Sequence, residues 1–184
     1  MTKLVYYLTG MNGRLSAGLG ESLLSRGIEL TGRELVDDFK RADIQEQIDT
    51  VCDDLTKHFC GKDSYVIANS YGAYLFLHAQ AKLNKTYEAN VLLLSPIVGD
   101  FANEDTSMHF IPPRSNFLSE VAESGMFPKL THCEIHVGSE DWQSNPVNVK
   151  TFADLVGLKV HVVQNAGHML PKDYVSDLLD RWLA

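Results

Sequence analysis

Short apolar segments alternate with helix-like segments along the chain, and this alternation restricts the possible folds more than any other feature of the sequence. The segments predicted as strands are residues 3–8, 28–30, 64–68, 90–94, 132–137 and 159–163. Strands that alternate with helices build βαβ units, and these form a mostly parallel sheet with helices on both faces. We therefore predict an α/β fold, a three-layer sandwich around a mostly parallel sheet of about six strands.

The helices between these strands are indicated by the spacing of apolar residues. The positions that recur at helical spacing after the second strand are Ile44, Ile48, Val51, Leu55 and Phe59. Polar residues occupy the other positions, so the pattern predicts an amphipathic helix with one buried face. Asn145 followed by Pro146 is a typical helix start. Residues 73–79 predict a further helix, and residues 170–183 predict a closing one.

Residues 97–129 do not follow the alternation. The segment contains Pro112 and Pro113, followed by a short helical pattern at residues 116–123. Because it follows a strand at the edge where parallel sheets carry their sites, we predict a small cap-like insertion. A chain of 184 residues suits one hydrophobic core. We therefore predict a single domain over residues 1–184 that carries this insertion.

The net charge of −8 gives no electrostatic support to binding of nucleic-acid phosphates or anionic membranes. The apolar run at residues 4–8 is too short for a signal peptide or a membrane span. Cys52, Cys60 and Cys133 form no CxxC pair and are odd in number, as expected of reduced thiols. We therefore expect a cytoplasmic protein that binds neither nucleic acid nor membrane.

The turn after the third predicted strand carries the strongest chemical signal. It reads Ala68-Asn69-Ser70-Tyr71-Gly72, with small residues two positions before and after the serine. Small residues let the backbone turn sharply beside the neighbouring strand and helix, so the serine oxygen is lifted above the sheet. The following helix points its free N–H groups at the reacting centre. The pattern predicts that Ser70 is a nucleophile, and its ordinary alternative is a helix N-cap.

A serine nucleophile needs a base, and the base needs a third group that orients it. His168 lies after the last predicted strand, and Asp141 lies after the strand before it. The order serine, acid, histidine along the chain distinguishes one class of serine hydrolase from the others. Asp100 follows the preceding strand and is the rival for the acid, but the Gly-Ser-x-Asp turn favours Asp141.

These motifs resemble those of the α/β-hydrolase superfamily over nearly the whole chain. The segments that carry the resemblance are residues 68–72, 138–141 and 165–168, each after a predicted strand. The resemblance implies a minimal α/β-hydrolase fold, with Ser70 as nucleophile and His168 as general base and acid. It also implies that Asp141 orients the histidine. One difference from the superfamily pattern is Ala68, which stands where this turn usually has its first glycine.

The loop after the first strand is predicted to complete an oxyanion hole. In the superfamily this loop commonly carries a His-Gly pair, whereas here residues 8–13 read LTGMNG and lack the histidine. An oxyanion hole uses backbone N–H groups, so it tolerates changes of side chain. The N–H groups of Tyr71 and Met11 are the predicted donors, with Gly10 or Asn12 as alternatives to Met11.

The remaining histidines are predicted to be structural. His132, Glu134 and His136 share one face of a strand, an arrangement that suits a metal but that simple alternation also produces. We therefore predict no metal site and no organic cofactor.

The sequence thus predicts a serine hydrolase that cleaves a small carboxylic ester or a related acyl bond through an acyl-enzyme. Its expected partner is a small-molecule acyl substrate, because the predicted cap is short. Two alternatives stay open: a non-catalytic binding or scaffold protein on the same fold, and a triad enzyme for amide, thioester or carbon–carbon bonds. A homodimer, in which the partner supplies missing walls of the site, also stays open.

Overall fold

The structure is a computed structural model that describes residues 3–184, so residues 1 and 2 of the predicted domain lie outside the described residues. The strands within this range are β1 (Leu4–Met11), β2 (Glu29–Leu35), β3 (Tyr65–Asn69), β4 (Tyr87–Leu94), β5 (Phe101–Asn103), β6 (Met108–Phe110), β7 (Leu130–Gly138) and β8 (Lys159–Val163). The helices are α1 (Leu19–Leu24), α2 (Asp37–Arg41), α3 (Ile44–His58), α4 (Tyr71–Leu83), α5 (Phe117–Glu123), α6 (Pro146–Val156) and α7 (Lys172–Trp182).

Six of the described strands form one parallel sheet in the order β2-β1-β3-β4-β7-β8. Because every pair is parallel, the carboxyl ends of all six strands lie at the same edge of the sheet. The loops that follow β3, β7 and β8 therefore meet at this edge. The predicted α/β fold class, with a mostly parallel sheet of six strands, is confirmed.

Helices cover both faces of the sheet and create two hydrophobic layers. One layer contains residues of α3, α4, α5 and α6, and the other contains residues of α1 and α7. In α3, Asp43 caps the first turn by accepting a hydrogen bond from the Gln45 N–H. The helix buries Ile48, Val51 and Leu55, as the spacing of apolar residues predicts. None of the helices described is long and apolar enough to cross a membrane.

Helix α4 is the most buried helix, and it starts at the predicted nucleophile. Every residue from 71 to 80 is buried, because the helix lies between the sheet and the neighbouring helices α3 and α5. A helix that is apolar around most of its circumference requires such an enclosed position. This packing holds the N-terminus of α4, and with it Ser70, in a fixed position above the sheet.

Residues 97–129 contain an antiparallel hairpin, β5–β6, followed by α5. The hairpin is largely exposed, whereas α5 buries Leu118 and Ala122 against the core. The helix predicted at residues 116–123 is present, but the hairpin is not evident from the sequence, because short exposed strands lack an apolar pattern. The role of this segment as a cap stays a prediction.

Strand β2 extends to Leu35 and is much longer than the predicted residues 28–30. Three of its five additional residues are polar and only Leu35 is buried, and the strand lies at an edge of the sheet, where one side of the backbone is unpaired. Arg33 from this strand binds the carboxylate of Asp54 on α3 at 2.7 and 2.8 Å. Because polar contacts of this kind hold the strand, most of its additional residues lack the apolar pattern from which a strand is predicted.

Candidate active site

Ser70 occupies the turn between β3 and α4 in an unusual backbone conformation. Its φ is 54° and its ψ is −118°, a region that residues other than glycine rarely adopt. Gly72, two residues after Ser70, lies directly against β1. A Cβ placed on Gly72 would lie 2.4 Å from the Thr9 carbonyl oxygen and 2.5 Å from that of Leu8. Glycine at position 72 therefore allows the sharp turn that the sequence predicts.

The structure brings Ser70, His168 and Asp141 together in hydrogen-bonding distance. The Ser70 Oγ lies 2.8 Å from Nε2 of His168. The other ring nitrogen, Nδ1, lies 3.0 and 2.9 Å from the two carboxylate oxygens of Asp141. A carboxylate only accepts hydrogen bonds, so Nδ1 carries the proton and Nε2 is free to accept the proton of the serine hydroxyl.

Asp141 is buried and is held by the turn that follows β7. Its carboxylate is only 1% exposed. Its Oδ1 accepts hydrogen bonds from the backbone N–H groups of Gln143 and Ser144, at 3.0 and 2.8 Å. These contacts compensate the buried charge and hold the carboxylate beside the imidazole of His168.

The loops that carry Asp141 and His168 are bound to each other. The Glu140 N–H donates to the Ala166 carbonyl at 2.9 Å, and the Asn165 N–H donates to the Ser139 Oγ at 2.9 Å. The approach is so close that a Cβ on Gly138 would lie 2.2 Å from the Ala166 carbonyl oxygen. The acid and the histidine are therefore positioned as one unit at the ends of β7 and β8.

Comparison with known proteins identifies the fold that carries this arrangement of side chains. No family model and no curated protein matches the sequence. The crystal structure of the ydeN gene product of B. subtilis superimposes with a TM-score of 0.65 at 16% identity, covering 99% of both chains. A carboxylesterase structure from Nitrososphaera gargenis gives 0.65 at 13% identity, over 99% of this chain and 90% of that one. Mouse alpha/beta hydrolase domain-containing protein 10 gives 0.63 at 12% identity, over 100% and 92%.

The chain has the α/β-hydrolase fold. At this level of identity the likeness extends to the fold alone, so the roles of individual side chains depend on the geometry of this chain. The Ser70 turn lies between a strand and a helix, the position that a nucleophile elbow occupies, and Asp141 and His168 follow the ends of β7 and β8.

Ser144 is a fourth polar side chain in contact with the triad, and the sequence analysis does not identify it. Its hydroxyl donates to the Ser95 carbonyl oxygen at 2.5 Å. This leaves the lone pairs of its Oγ beside Nδ1 of His168, at 3.4 Å. Ser144 is 1% exposed, and its only sequence signal is its position three residues after Asp141.

The predicted oxyanion donors belong to two different elements. Tyr71 is the first residue of α4, and Met11 is the last residue of β1. The Asn12 N–H donates to the Leu35 carbonyl at 2.9 Å, so this group is already engaged and Asn12 is a poor alternative. Gly10 lies against the nucleophile, since a Cβ placed on it would be 3.2 Å from the Ser70 Cβ. The choice between Met11 and Gly10 stays a prediction.

Asp100, the rival for the acid, lies in the β5–β6 hairpin segment. Its carboxylate is 3.0 Å from Nε2 of His109, and both side chains are about half exposed. The structure therefore places Asp100 in a surface pair and gives the position beside His168 to Asp141.

Aromatic side chains connect the hairpin to the loop of the acid. Trp142, directly after Asp141, packs against Phe101 with ring centroids 5.6 Å apart, and Phe101 packs against Phe110 at 5.1 Å. On the other side, Met169 directly follows His168 and is 87% exposed. The surroundings of the triad thus include apolar groups that water contacts directly.

Proposed function

We propose that this chain is a serine hydrolase that cleaves a small carboxylic ester or a related acyl bond. The observation that carries the proposal is the continuous contact from Ser70 Oγ through His168 to the carboxylate of Asp141, with distances of 2.8, 2.9 and 3.0 Å. A serine hydroxyl is a weak nucleophile at neutral pH, and an imidazole oriented by a carboxylate removes this limitation.

In the proposed reaction, Ser70 Oγ attacks the acyl carbonyl while Nε2 of His168 accepts its proton. Asp141 stabilises the imidazolium that forms, because its carboxylate already accepts the Nδ1–H. His168 then gives the proton to the leaving alcohol, and the acyl group stays on Ser70 as an ester. A water molecule, activated by the same nitrogen, attacks this ester and releases the carboxylic acid. No step requires a metal or an organic cofactor.

The negative charge of the tetrahedral intermediate requires donors that are in place before the reaction. We assign this role to the N–H of Tyr71, in the first turn of α4, and to the N–H of Met11 or Gly10. Burial raises the pKa of the Tyr71 phenol, so this side chain stays protonated at neutral pH. Removal of one such donor typically lowers the rate about 100-fold or more.

The surroundings of the triad support an acyl group that is at least partly apolar, and the shortness of segment 97–129 supports a small one. Exposed Met169 follows His168, and the aromatic row Trp142, Phe101 and Phe110 extends from the loop of Asp141. The expected partner is therefore a small acyl compound, in a protein that we expect to be cytoplasmic. A homodimer, in which the partner supplies walls of the site, stays a prediction.

Hydrolysis of a series of p-nitrophenyl esters tests the proposal. The wild-type chain should hydrolyse the acetate ester, and Ser70→Ala should lose this activity while remaining folded. Ser64→Ala is the matched control, because this serine precedes the opposite end of β3 and should leave the rate unchanged. A Ser70→Ala variant with wild-type turnover would contradict the proposal, and a preference for long acyl chains would contradict its small-substrate part.

A further inference from the structure

A second cluster of polar side chains lies away from Ser70, between α7 and the strands β7 and β8. It borders a cavity of about 560 Å³ that is lined by Glu134, His136, His161, Tyr174 and Arg181 together with neighbouring side chains. None of these five residues contributes to the proposed hydrolytic mechanism.

Strand geometry explains why these groups converge. Glu134 and His136 are two residues apart on β7, so their side chains project from the same face of the sheet. His161 is the in-register partner of His136 on β8. The two imidazole rings stack with their centroids 4.6 Å apart and their planes 8° from parallel. One donor atom from each of the three side chains lies within 4.8 Å of the others.

The donor set is one that particular metals prefer. Two imidazole nitrogens and one carboxylate oxygen suit Zn²⁺ and the neighbouring divalent transition metals, whereas Mg²⁺ and Ca²⁺ prefer oxygen ligands. His136 Nε2 lies 3.3 Å from Glu134 Oε2. This separation is close to the roughly 3.4 Å between two ligand atoms that lie about 2.1 Å from a tetrahedral ion.

A hydrogen-bond partner on α7 orients His136, the middle member of the cluster. The Tyr174 hydroxyl lies 2.7 Å from His136 Nδ1, so the Nε2 edge of the ring is directed at Glu134 and the cavity. Metal-binding histidines usually have such a partner on the second nitrogen, because it fixes the ring orientation. His136 is 2% exposed, which restricts its ring to this arrangement.

We propose that Glu134, His136 and His161 form a binding site for one divalent transition-metal ion, with Zn²⁺ as the best-suited member. The ring stays neutral when the ion binds: its single proton moves from Nε2 to Nδ1, and the ion binds the Nε2 lone pair. Nδ1–H then donates to the Tyr174 oxygen, and the Tyr174 hydroxyl turns its own proton away from the ring, so no proton is gained or lost at His136. Three protein ligands leave one position for water.

Two contacts must change when the ion binds. Arg181 binds the carboxylate of Glu134 at 2.7 and 3.3 Å, and it competes with the ion for the same oxygens. Arg181 is 57% exposed, so this ion pair contributes little and can open towards solvent. His161 must also rotate, because two stacked rings direct their lone pairs along parallel lines that do not meet at one ion. His161 is only partly buried and borders the cavity, which gives it room to turn.

Titration calorimetry with Zn²⁺ on the full, chelator-treated chain tests this site. We expect saturable binding of one ion per chain, and no saturable heat with Mg²⁺. His161→Ala and Glu134→Gln should each weaken binding at least about tenfold. Arg181→Ala should strengthen binding, because it frees the carboxylate of Glu134. The Glu134→Gln result is decisive even if His161→Ala fails to fold, since glutamine keeps the shape of the side chain.

Two control variants test whether Zn²⁺ binds at this cluster or at His132 or His168. His132→Ala changes an exposed histidine on the same strand and face but outside the cavity, and it should leave binding unchanged. His168→Ala removes the histidine of the triad and should also leave binding unchanged. The proposal is overturned if the wild-type chain shows no saturable Zn²⁺ binding, or if Glu134→Gln binds like wild type. It is also overturned if binding depends on His132 or His168, or if Arg181→Ala weakens it.

Discussion

Strands β7 and β8 carry two arrangements of histidine and carboxylate that differ in one essential respect. In the triad, His168 stands in the loop after β8, with its Nδ1 on Asp141 and its Nε2 2.8 Å from the Ser70 hydroxyl. In the cluster under α7, His136 stands within β7, with Nδ1 on Tyr174 and Nε2 on Glu134. The first histidine lies beside the hydroxyl of the proposed nucleophile, and the second lies between a phenol and a carboxylate with a second imidazole stacked on it.

This difference determines what each arrangement can do. Both rings lie between a carboxylate and a hydroxyl, so the difference is in the hydroxyl and in what else is near. The hydroxyl beside His168 belongs to Ser70, on the turn before α4, where the proposed hydrolase requires a proton transfer. The ring of His136 has a second imidazole, His161, stacked on it, and in the proposed metal site the two imidazoles and the carboxylate bind one cation after His161 turns. The same residue types are thus proposed to serve catalysis in the loops and cation binding in the strands.

The largest effect is expected from His168→Ala, because it removes the base from the triad while Ser70 stays in place. Turnover of a p-nitrophenyl ester should fall on the order of 10⁴-fold or more. His132→Ala, an exposed histidine on β7, serves as the control and should keep its rate within about twofold. If His168→Ala retains most of the activity, the distinction between the two arrangements fails.

Asp141→Asn should lower kcat by roughly 10³- to 10⁴-fold, since the amide no longer stabilises the imidazolium or enforces the Nδ1–H tautomer. Steady-state kinetics of the same ester measures this loss. Asp100→Asn is the matched control, because Asp100 pairs with His109 on the surface and should retain the wild-type kcat. The reverse pattern, loss in Asp100→Asn and activity in Asp141→Asn, would move the role of the acid to the hairpin segment.

A third histidine shows what burial does without any polar partner. His78 on α4 stacks on Phe117 of α5, and its ring nitrogens have no hydrogen-bond partner among the described residues. Burial, with a smaller contribution from Arg114, lowers the pKa of His78 to about 4. Between pH 6.5 and pH 4 the unfolded chain binds a proton that the folded chain refuses, so stability falls as the pH falls.

This loss should reach at most about 3 kcal/mol at pH 4. Denaturant unfolding at several pH values, compared between wild type and His78→Phe, measures it, since phenylalanine cannot be protonated. His58→Gln changes an exposed histidine on α3 and should keep the wild-type pH dependence. Identical pH dependence in wild type and His78→Phe would show that His78 is not held neutral by burial.

The smallest of these effects is expected from Ser144→Ala. The Ser144 hydroxyl donates to Ser95, so its oxygen is an acceptor beside the Nδ1–H of His168 and stabilises the imidazolium. We expect kcat/KM to fall about tenfold. Steady-state kinetics of the same ester measures this loss. A wild-type kcat/KM in Ser144→Ala would mean that Ser144 supports only the fold of the loop.

The triad is predictable from the sequence because its residues stand next to strand ends. Ser70, Asp141 and His168 follow β3, β7 and β8, and parallel strands end at a common edge. The middle of β3 and the last four residues of β7 are buried, and β8 is only partly buried but rich in valine, so all three strands are evident in the sequence. The assembly of the three groups then follows from the topology, without knowledge of any individual contact.

The contacts that depend on register or on loop conformation are not predictable in this way. The sequence places His132 with Glu134 and His136, whereas the structure replaces it with His161, because His161 is the in-register partner of His136. Ser144 reaches the carbonyl of Ser95, 49 positions away, through a loop conformation that no pattern specifies. Alternation identifies the face of a strand, but it does not identify the neighbour on the next strand.

Mapping the site of covalent modification tests the central claim most directly. The folded wild-type chain would be treated with a fluorophosphonate probe, digested, and examined by mass spectrometry for the modified peptide. The account predicts a single adduct on Ser70, absent from Ser70→Ala and strongly reduced in His168→Ala. An adduct on another residue, or no adduct on the folded wild-type chain, would contradict the assignment of Ser70 as an activated nucleophile.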